Sequence, residues 1–250
     1  MRHIHRSPVF ALLLLLAGCA SDGSFDAGKA VMLGAGVLQA TTLDEDEVKQ
    51  AATLAAQEMD SQQQIAAANN PYSTRLTKIV KGMDSYGGLN LNFKVYITSD
   101  VNAFAMADGT VRVYSGLLDA MPDDQVFAVI GHEVGHVAKK HSYNQMRKQI
   151  LTSTAFQTIA SSGGTLGQLT SSELGALAYQ AINAKFSKED ELEADTYSVK
   201  MLKALGKDPY AMKRAIETLE KMFGSGGGFL SSHPSNKDRK ANLQNAIDKL

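Results

Sequence analysis

The chain has 250 residues, 44% of them hydrophobic and 20% charged, which allows one core domain of about 200 residues and requires no second. A formal net charge of −1 argues against a nucleic-acid partner held by phosphate neutralisation. Cys19 is the single cysteine, which excludes intramolecular disulfides.

The first residues read as a targeting segment. Arg2 and Arg6 flank the start of the apolar run Val9–Ala17, far shorter than the roughly 20 residues a spanning helix needs. The run ends in Leu16-Ala17-Gly18-Cys19, which resembles a bacterial lipobox. That resemblance implies a lipoprotein signal peptide over residues 1–18, cleavage before Cys19 and lipidation of its thiol. Ala20 stands where an aspartate would resemble an inner-membrane retention signal, so an outer-membrane address is expected. Cleavage would remove His3, His5, Arg2 and Arg6, leaving 23 of the 25 basic residues against 26 acidic ones and a mature charge of −3. Residues 19–40 are Gly/Ala-rich and are expected to form a tether with a short helix. The mature protein is thus anchored to a membrane and does not span it.

Thr42-Leu43-Asp44-Glu45 matches a capping box and opens a helix expected to reach Ile65, with Val48, Ala52, Ala55 and Met59 on one face. Asn69-Asn70-Pro71 breaks it and starts a second helix carrying Leu76, Ile79, Val80 and Met83, which Gly87-Gly88 ends. Leu89, Leu91, Phe93, Val95 and Ile97 alternate with polar residues as in a half-buried strand. A short strand over Asn102–Met106, the turn Ala107-Asp108-Gly109-Thr110 and a returning strand Val111-Arg112-Val113-Tyr114 follow. Ser115-Gly116 opens a short helix over Leu117–Ala120.

Pro122-Asp123-Asp124 begins the helix with the chemistry. Its acidic first turn and Lys139-Lys140 at its end suit the helix dipole. It contains His132-Glu133-Val134-Gly135-His136. Residues i and i+4 share a helix face, so both imidazoles can address one metal ion, and Glu133 lies about 100° round the helix, within reach of a water on that ion. His141 is five positions beyond His136, about 140° away on a continued helix, and reads as a solvated C-terminal cation.

Downstream, helices are expected over residues 143–160, Ser171–Ala184, Phe186–Leu205 with Gly206 as its stop, and Pro209–Phe223. A glycine-rich run at 224–228 and a final helix from about residue 236 complete the chain. A catalytic zinc site takes three protein ligands and an open position. The third ligand should therefore be a downstream carboxylate or histidine, and spacing alone does not choose among Glu189, Asp190, Glu191, Glu193 and Asp195.

His132-Glu133-x-x-His136 together with Ser187-Lys188-x-x-Glu191-x-x-Ala194-Asp195 resembles the HtpX/CAAX-prenyl-protease metallopeptidases, which are gluzincins. Asn102-Ala103-Phe104-Ala105, Val113-Tyr114-Ser115-Gly116-Leu117 and Ser232-His233-Pro234 resemble the same family, so the likeness covers nearly all of the mature chain. With the lipobox it resembles the outer-membrane lipoprotein branch.

The resemblance implies an α+β, mostly helical zincin-type domain over residues 41–250, with a small, partly antiparallel sheet beside the His-Glu-x-x-His helix. It implies one Zn2+ per chain, held by His132, His136 and Glu191, with Asp195 orienting a histidine ligand and Glu133 as general base. Glu193 is expected at the surface. His233 is either a loop histidine or a group that approaches the zinc as a gate or transition-state stabiliser. Arg239 would donate to an oxyanion or, the favoured reading, fix its helix. Val111–Tyr114 is expected to be the edge strand along which an extended substrate pairs.

The expected activity is hydrolysis of peptide bonds in misfolded periplasmic or outer-membrane proteins. The rival is a lipoprotein chaperone or assembly factor, in contact with outer-membrane assembly proteins, with or without proteolysis.

Overall fold

A computed structural model describes residues 43–224, 226–235 and 237–250; the expected signal peptide, Cys19 and the tether lie outside them. Asp44 caps α1 (Glu45–Gln62): its carboxylate accepts from Glu47 N–H while the Glu47 carboxylate takes the Asp44 N–H. The capping box is therefore two residues later than expected at Thr42, and α1 stops at Gln62 so that Ile65 can bridge Tyr96. Asn70 caps α2 (Pro71–Ile79), which has Pro71 in its first turn. This helix ends before Met83, and a separate 3-10 turn covers Tyr86–Gly88.

Three strands follow: β1 (Asn92–Tyr96), β2 (Ala103–Ala105) and β3 (Thr110–Tyr114). Their spatial order is β1-β3-β2, with β3 parallel to β1 and antiparallel to β2. Strand alternation sends Val95, Ala103, Ala105, Val111 and Val113 into one hydrophobic cluster, and Tyr96 and Phe104 into another on the opposite face. The sheet is thus a buried partition between two cores. The expectation that Val111–Tyr114 forms the substrate edge is overturned: both sides of β3 are already hydrogen-bonded, to β1 and to β2.

The short α3 (Ser115–Ala120) leads into α4 (Asp123–Ala138), the His-Glu-x-x-His helix. Every residue of α4 from Val126 to Val137 is buried, as befits a helix that runs through the middle of a domain. Then come α5 (His141–Thr152), α6 (Thr154–Ser161), a 3-10 turn Leu166–Gln168, α7 (Ser171–Asn183), α8 (Lys188–Ala204), α9 (Ala211–Phe223), a 3-10 turn Gly228–Ser231 and α10 (Lys237–Asp248). The single helix expected over 143–160 is two, because Ser153 leaves the helix and its hydroxyl caps the next by accepting from Phe156 N–H. Helices α2, α3, α4, α8, α9 and α10 share the first core with the sheet, and α1, α5, α6 and α7 share the second.

Two glycines set how close α4 and α8 come. A Cβ on Gly135 would lie 3.1 Å from the Cα and carbonyl oxygen of Ala194, and Gly131 faces Ser198, whose hydroxyl donates to Ala128 O at 2.7 Å. Small residues on both partners let the backbones approach until side chains at 132, 136, 191 and 195 meet. No helix among the described residues is long and apolar enough to cross a membrane.

Candidate metal centre

Ser187 caps α8, with Asp190 completing a reciprocal capping box. This fixes the first turn of α8 against the middle of α4 and places Glu191 opposite the two histidines. His132 Nε2 is 3.0 Å from His136 Nε2; Glu191 lies 3.6 Å from the first (Oε2) and 3.4 Å from the second (Oε1). His233 enters from the segment after the 3-10 turn, with Nδ1 3.0 Å from Glu191 Oε1 and 3.2 Å from His132 Nε2. One donor atom from each of these four residues falls within 4.8 Å of all the others, and all four are buried.

Around them stands a second ring of partners. His132 Nδ1 is 2.9 Å from Asp195 Oδ1. Arg239, wholly buried, donates to both oxygens of Asp195 at 2.8 and 2.7 Å and to the His233 carbonyl at 3.0 Å, and its Nη1 lies 2.6 Å from Glu191 Oε2. Arg239 thus ties Asp195 and Glu191 of one helix to the segment that carries His233. Phe186 stacks on His136 with ring centroids 3.8 Å apart, and Phe229 stacks on His233 at 4.3 Å.

Glu193, by contrast, is largely exposed. His141 does not behave as expected. It is 6% exposed, with Nδ1 3.0 Å from His136 Nδ1. Lys140 takes a left-handed conformation (φ 62°, ψ 19°), so α4 ends and the chain folds back. Helical projection from His136 fails at that residue, and His141 turns inward.

Electrostatics follow from burial. Burial pushes the Glu133 carboxyl up to about 7, against the pull of His233 and an Ala105 N–H hydrogen bond. Burial also raises Glu191 and Asp195, but it is outweighed, for Glu191 by His233, Arg239 and His132, for Asp195 by Arg239 and His132; both stay ionised. Burial holds the His132 and His136 imidazoles below their ordinary value and therefore neutral, the form that binds metals. For His233, burial is overcome by Glu191 and Glu133 and the proton is held more tightly.

The donors fit a zinc ion. Two neutral imidazoles and an ionised carboxylate converge, Glu133 Oε1 is buried without a hydrogen-bond partner, and three carboxylates share this interior with the Arg239 guanidinium. A buried carboxylate oxygen without a partner is costly in a dry site, and a cation held by the neighbouring donors would offset that cost.

Such a helix pair, with a buried glutamate beside a His-His-Glu cluster, defines a metallopeptidase of the His-Glu-x-x-His class. The profile of peptidase family M48 matches residues 70–247. The chain is 39% identical to the metalloprotease YcaL and 40% identical to the metalloprotease LoiP, both of Escherichia coli K12, over 93% of this chain and 92% of each relative. It is also 26% identical to the β-barrel assembly-enhancing protease of the same strain, over 64% of this chain and 35% of that protein. The chain belongs to peptidase family M48, a zinc metallopeptidase family, and is a metalloendopeptidase.

Sequence reasoning missed His141, Phe186, Gly131 and Gly135 around this site. The glycines had a signal, small residues four apart on the motif helix. His141 had none, because a lysine gives no warning of a left-handed turn.

Proposed function

We propose that His132, His136 and Glu191 hold the zinc ion, that Asp195 orients His132, and that Glu133 is the general base of peptide hydrolysis. The observation that carries this reading is the convergence of the three donors with His233 in one buried cluster, beside which Glu133 is also buried, its Oε1 3.5 Å from His233 Nε2. The zinc supplies Lewis acidity that activates a water and polarises the scissile carbonyl.

Glu133, held by the Ala105 N–H and raised by burial, accepts the proton of the attacking water and passes it to the leaving amine. The substrate-pairing edge is β2. Tyr114 N–H bonds Asn102 O and Met106 N–H bonds Thr110 O, so the backbone groups of Ala103 and Ala105 face away from β3 and toward α4, where the Ala105 N–H is taken by Glu133. An extended peptide running along that edge would bring its scissile carbonyl beside Glu133.

The segment carrying His233 lies across this edge. Phe229 N–H bonds Val101 O at 2.9 Å, just before β2, and Phe186 N–H bonds Ser232 O at 3.3 Å. His233 then fills the position that a catalytic site leaves open, which supports a closed resting form in which His233 withdraws before substrate enters.

The lipobox supports an address at the periplasmic face of the outer membrane, with Cys19 as the anchor and misfolded periplasmic or outer-membrane proteins as substrates. A relative named for enhancing β-barrel assembly supports contact with outer-membrane assembly factors and leaves room for a chaperone role beside proteolysis. Metal analysis tests the core of the proposal: one zinc per wild-type chain, lost in His136→Ala. Full zinc content in that variant would overturn the ligand set.

A further inference from the structure

The two histidines of the motif are held on their outer sides in different ways. His132 Nδ1 meets a carboxylate, Asp195, whereas His136 Nδ1 meets the Nδ1 of His141 at 3.0 Å. Two facing imidazole nitrogens at that distance share one proton: two N–H groups would collide and two lone pairs would repel. His136 Nε2 points at the Glu191 and His132 donors, and a nitrogen that binds metal carries no proton. In the neutral ring the proton then sits on Nδ1, which donates to His141 Nδ1. That leaves His141 with its proton on Nε2, which lies 3.3 Å from Asp190 Oδ1 and 3.6 Å from Glu193 Oε2.

We propose that His141 is a positioning residue for the metal, the acceptor that fixes the tautomer and ring orientation of His136 through a chain running His136–His141–Asp190. The inference rests on the metallopeptidase reading of the site. It gives Asp190 two tasks: Oδ2 accepts the Ser187 N–H at the start of α8, and Oδ1 faces His141. The same side chain thus helps set the helix that brings Glu191 to the site and anchors the partner of the opposite ligand. The left-handed turn at Lys140 has a use on this account, since it swings His141 back to His136. Phe186 stacked on the ring controls its tilt, and His141 controls its rotation.

Replacing such a partner costs about 10–100-fold in metal affinity. The test is zinc affinity by chelator competition for the wild type, His141→Leu and His141→Asn. Asparagine places an acceptor oxygen near the Nδ1 position, whereas leucine fills the buried space and accepts nothing. His141→Leu should lose about 10–100-fold in zinc affinity, and His141→Asn should stay within about threefold of the wild type. An unchanged His141→Leu overturns the proposal, as does an equal loss in both variants, which would mean that only the shape of the side chain matters.

A second measurement needs no variant. Ring-nitrogen NMR of the zinc-loaded wild type should show His141 protonated on Nε2 alone and His136 on Nδ1; a His141 protonated on Nδ1 overturns the assignment. A wild-type protein that takes up no zinc would overturn the metal reading itself, and this proposal with it.

Discussion

His132 and Asp195, 63 residues apart in sequence, meet with Nδ1 and Oδ1 2.9 Å apart, and Arg239 grips the same carboxylate from its other side. The carboxylate can accept only from Nδ1–H, so Nε2 of His132 is left as the lone-pair nitrogen facing Glu191 and His136. Asp195→Asn keeps the volume and an acceptor but loses the charge that balances Arg239. Zinc affinity should fall about 10–100-fold, read by chelator competition, with His132 still in place. An affinity equal to that of the wild type would remove Asp195 from the site.

The approach of α4 to α8 sets up a second prediction. Gly135→Ala gains about 1 kcal/mol of helix propensity. Its new methyl would press on the Ala194 backbone at 3.1 Å, which cannot swing aside, and overpacking of this kind costs about 1–3 kcal/mol. The clash should win: thermal unfolding of Gly135→Ala should come earlier than in the wild type, and zinc should dissociate faster as Glu191 is pushed from His136. A more stable variant with unchanged zinc retention would show that the interhelix gap has slack.

Away from the site, Asp60 ties together the face of the sheet that carries Lys94, Tyr96 and Arg112, on the side of the second core. It accepts from Arg112 Nε and Nη2 at 2.8 and 2.9 Å, from Lys94 at 2.6 Å and from the Tyr96 hydroxyl at 2.8 Å. Burial raises its carboxyl, but these donors outweigh it and hold it at about 2. A carboxylate depressed in the fold stabilises above its unfolded value of about 3.9 and loses that contribution as pH falls through the folded one. Wild-type stability should therefore drop between about pH 4 and pH 2. Arg112 is buried, and breaking a buried pair costs about 3–5 kcal/mol. Asp60→Asn keeps one acceptor, so about 2–3 kcal/mol is expected at neutral pH, with a flatter acid limb. Urea unfolding at pH 7 and pH 3 reads both, and parallel wild-type and variant curves would contradict the assignment.

His233→Ala tests the closed resting form. With the imidazole gone from between Glu133 and Glu191, a short unstructured peptide should be cleaved several-fold faster, because less of the enzyme is held closed, while zinc content stays at one per chain. Slower cleavage by the zinc-loaded variant would make His233 a participant in the reaction and not a gate.

What the sequence disclosed, and what it withheld, divides by range of interaction. The start of α4 was legible because its signals are local, Pro122 and an acidic first turn; α8 was expected from Phe186 and begins at Lys188, because Ser187 with Asp190 three residues on caps it. The mixed character of the sheet was legible only in its antiparallel half. The pairing of β1 with β3 is parallel and crosses over β2, and no turn residue announces it, so Val111–Tyr114 was read as an edge when it is the middle strand. Among five carboxylates near residue 190, spacing could not separate Glu191 from its neighbours. The fold separates them by burial, since Glu191 and Asp195 face α4 while Glu193 faces water. His141 was misplaced by an assumption of helical continuity that one left-handed lysine breaks.

The central claim is that Glu133 moves the proton in a site whose metal is held by other residues. Glu133→Gln preserves the side-chain shape and leaves His132, His136 and Glu191 untouched. The decisive measurement is zinc stoichiometry and protein cleavage on the same Glu133→Gln preparation. The account predicts wild-type zinc content with cleavage reduced about 10²–10⁴-fold, the contribution expected of a general base. Cleavage at the wild-type rate by the fully metal-loaded variant would contradict it.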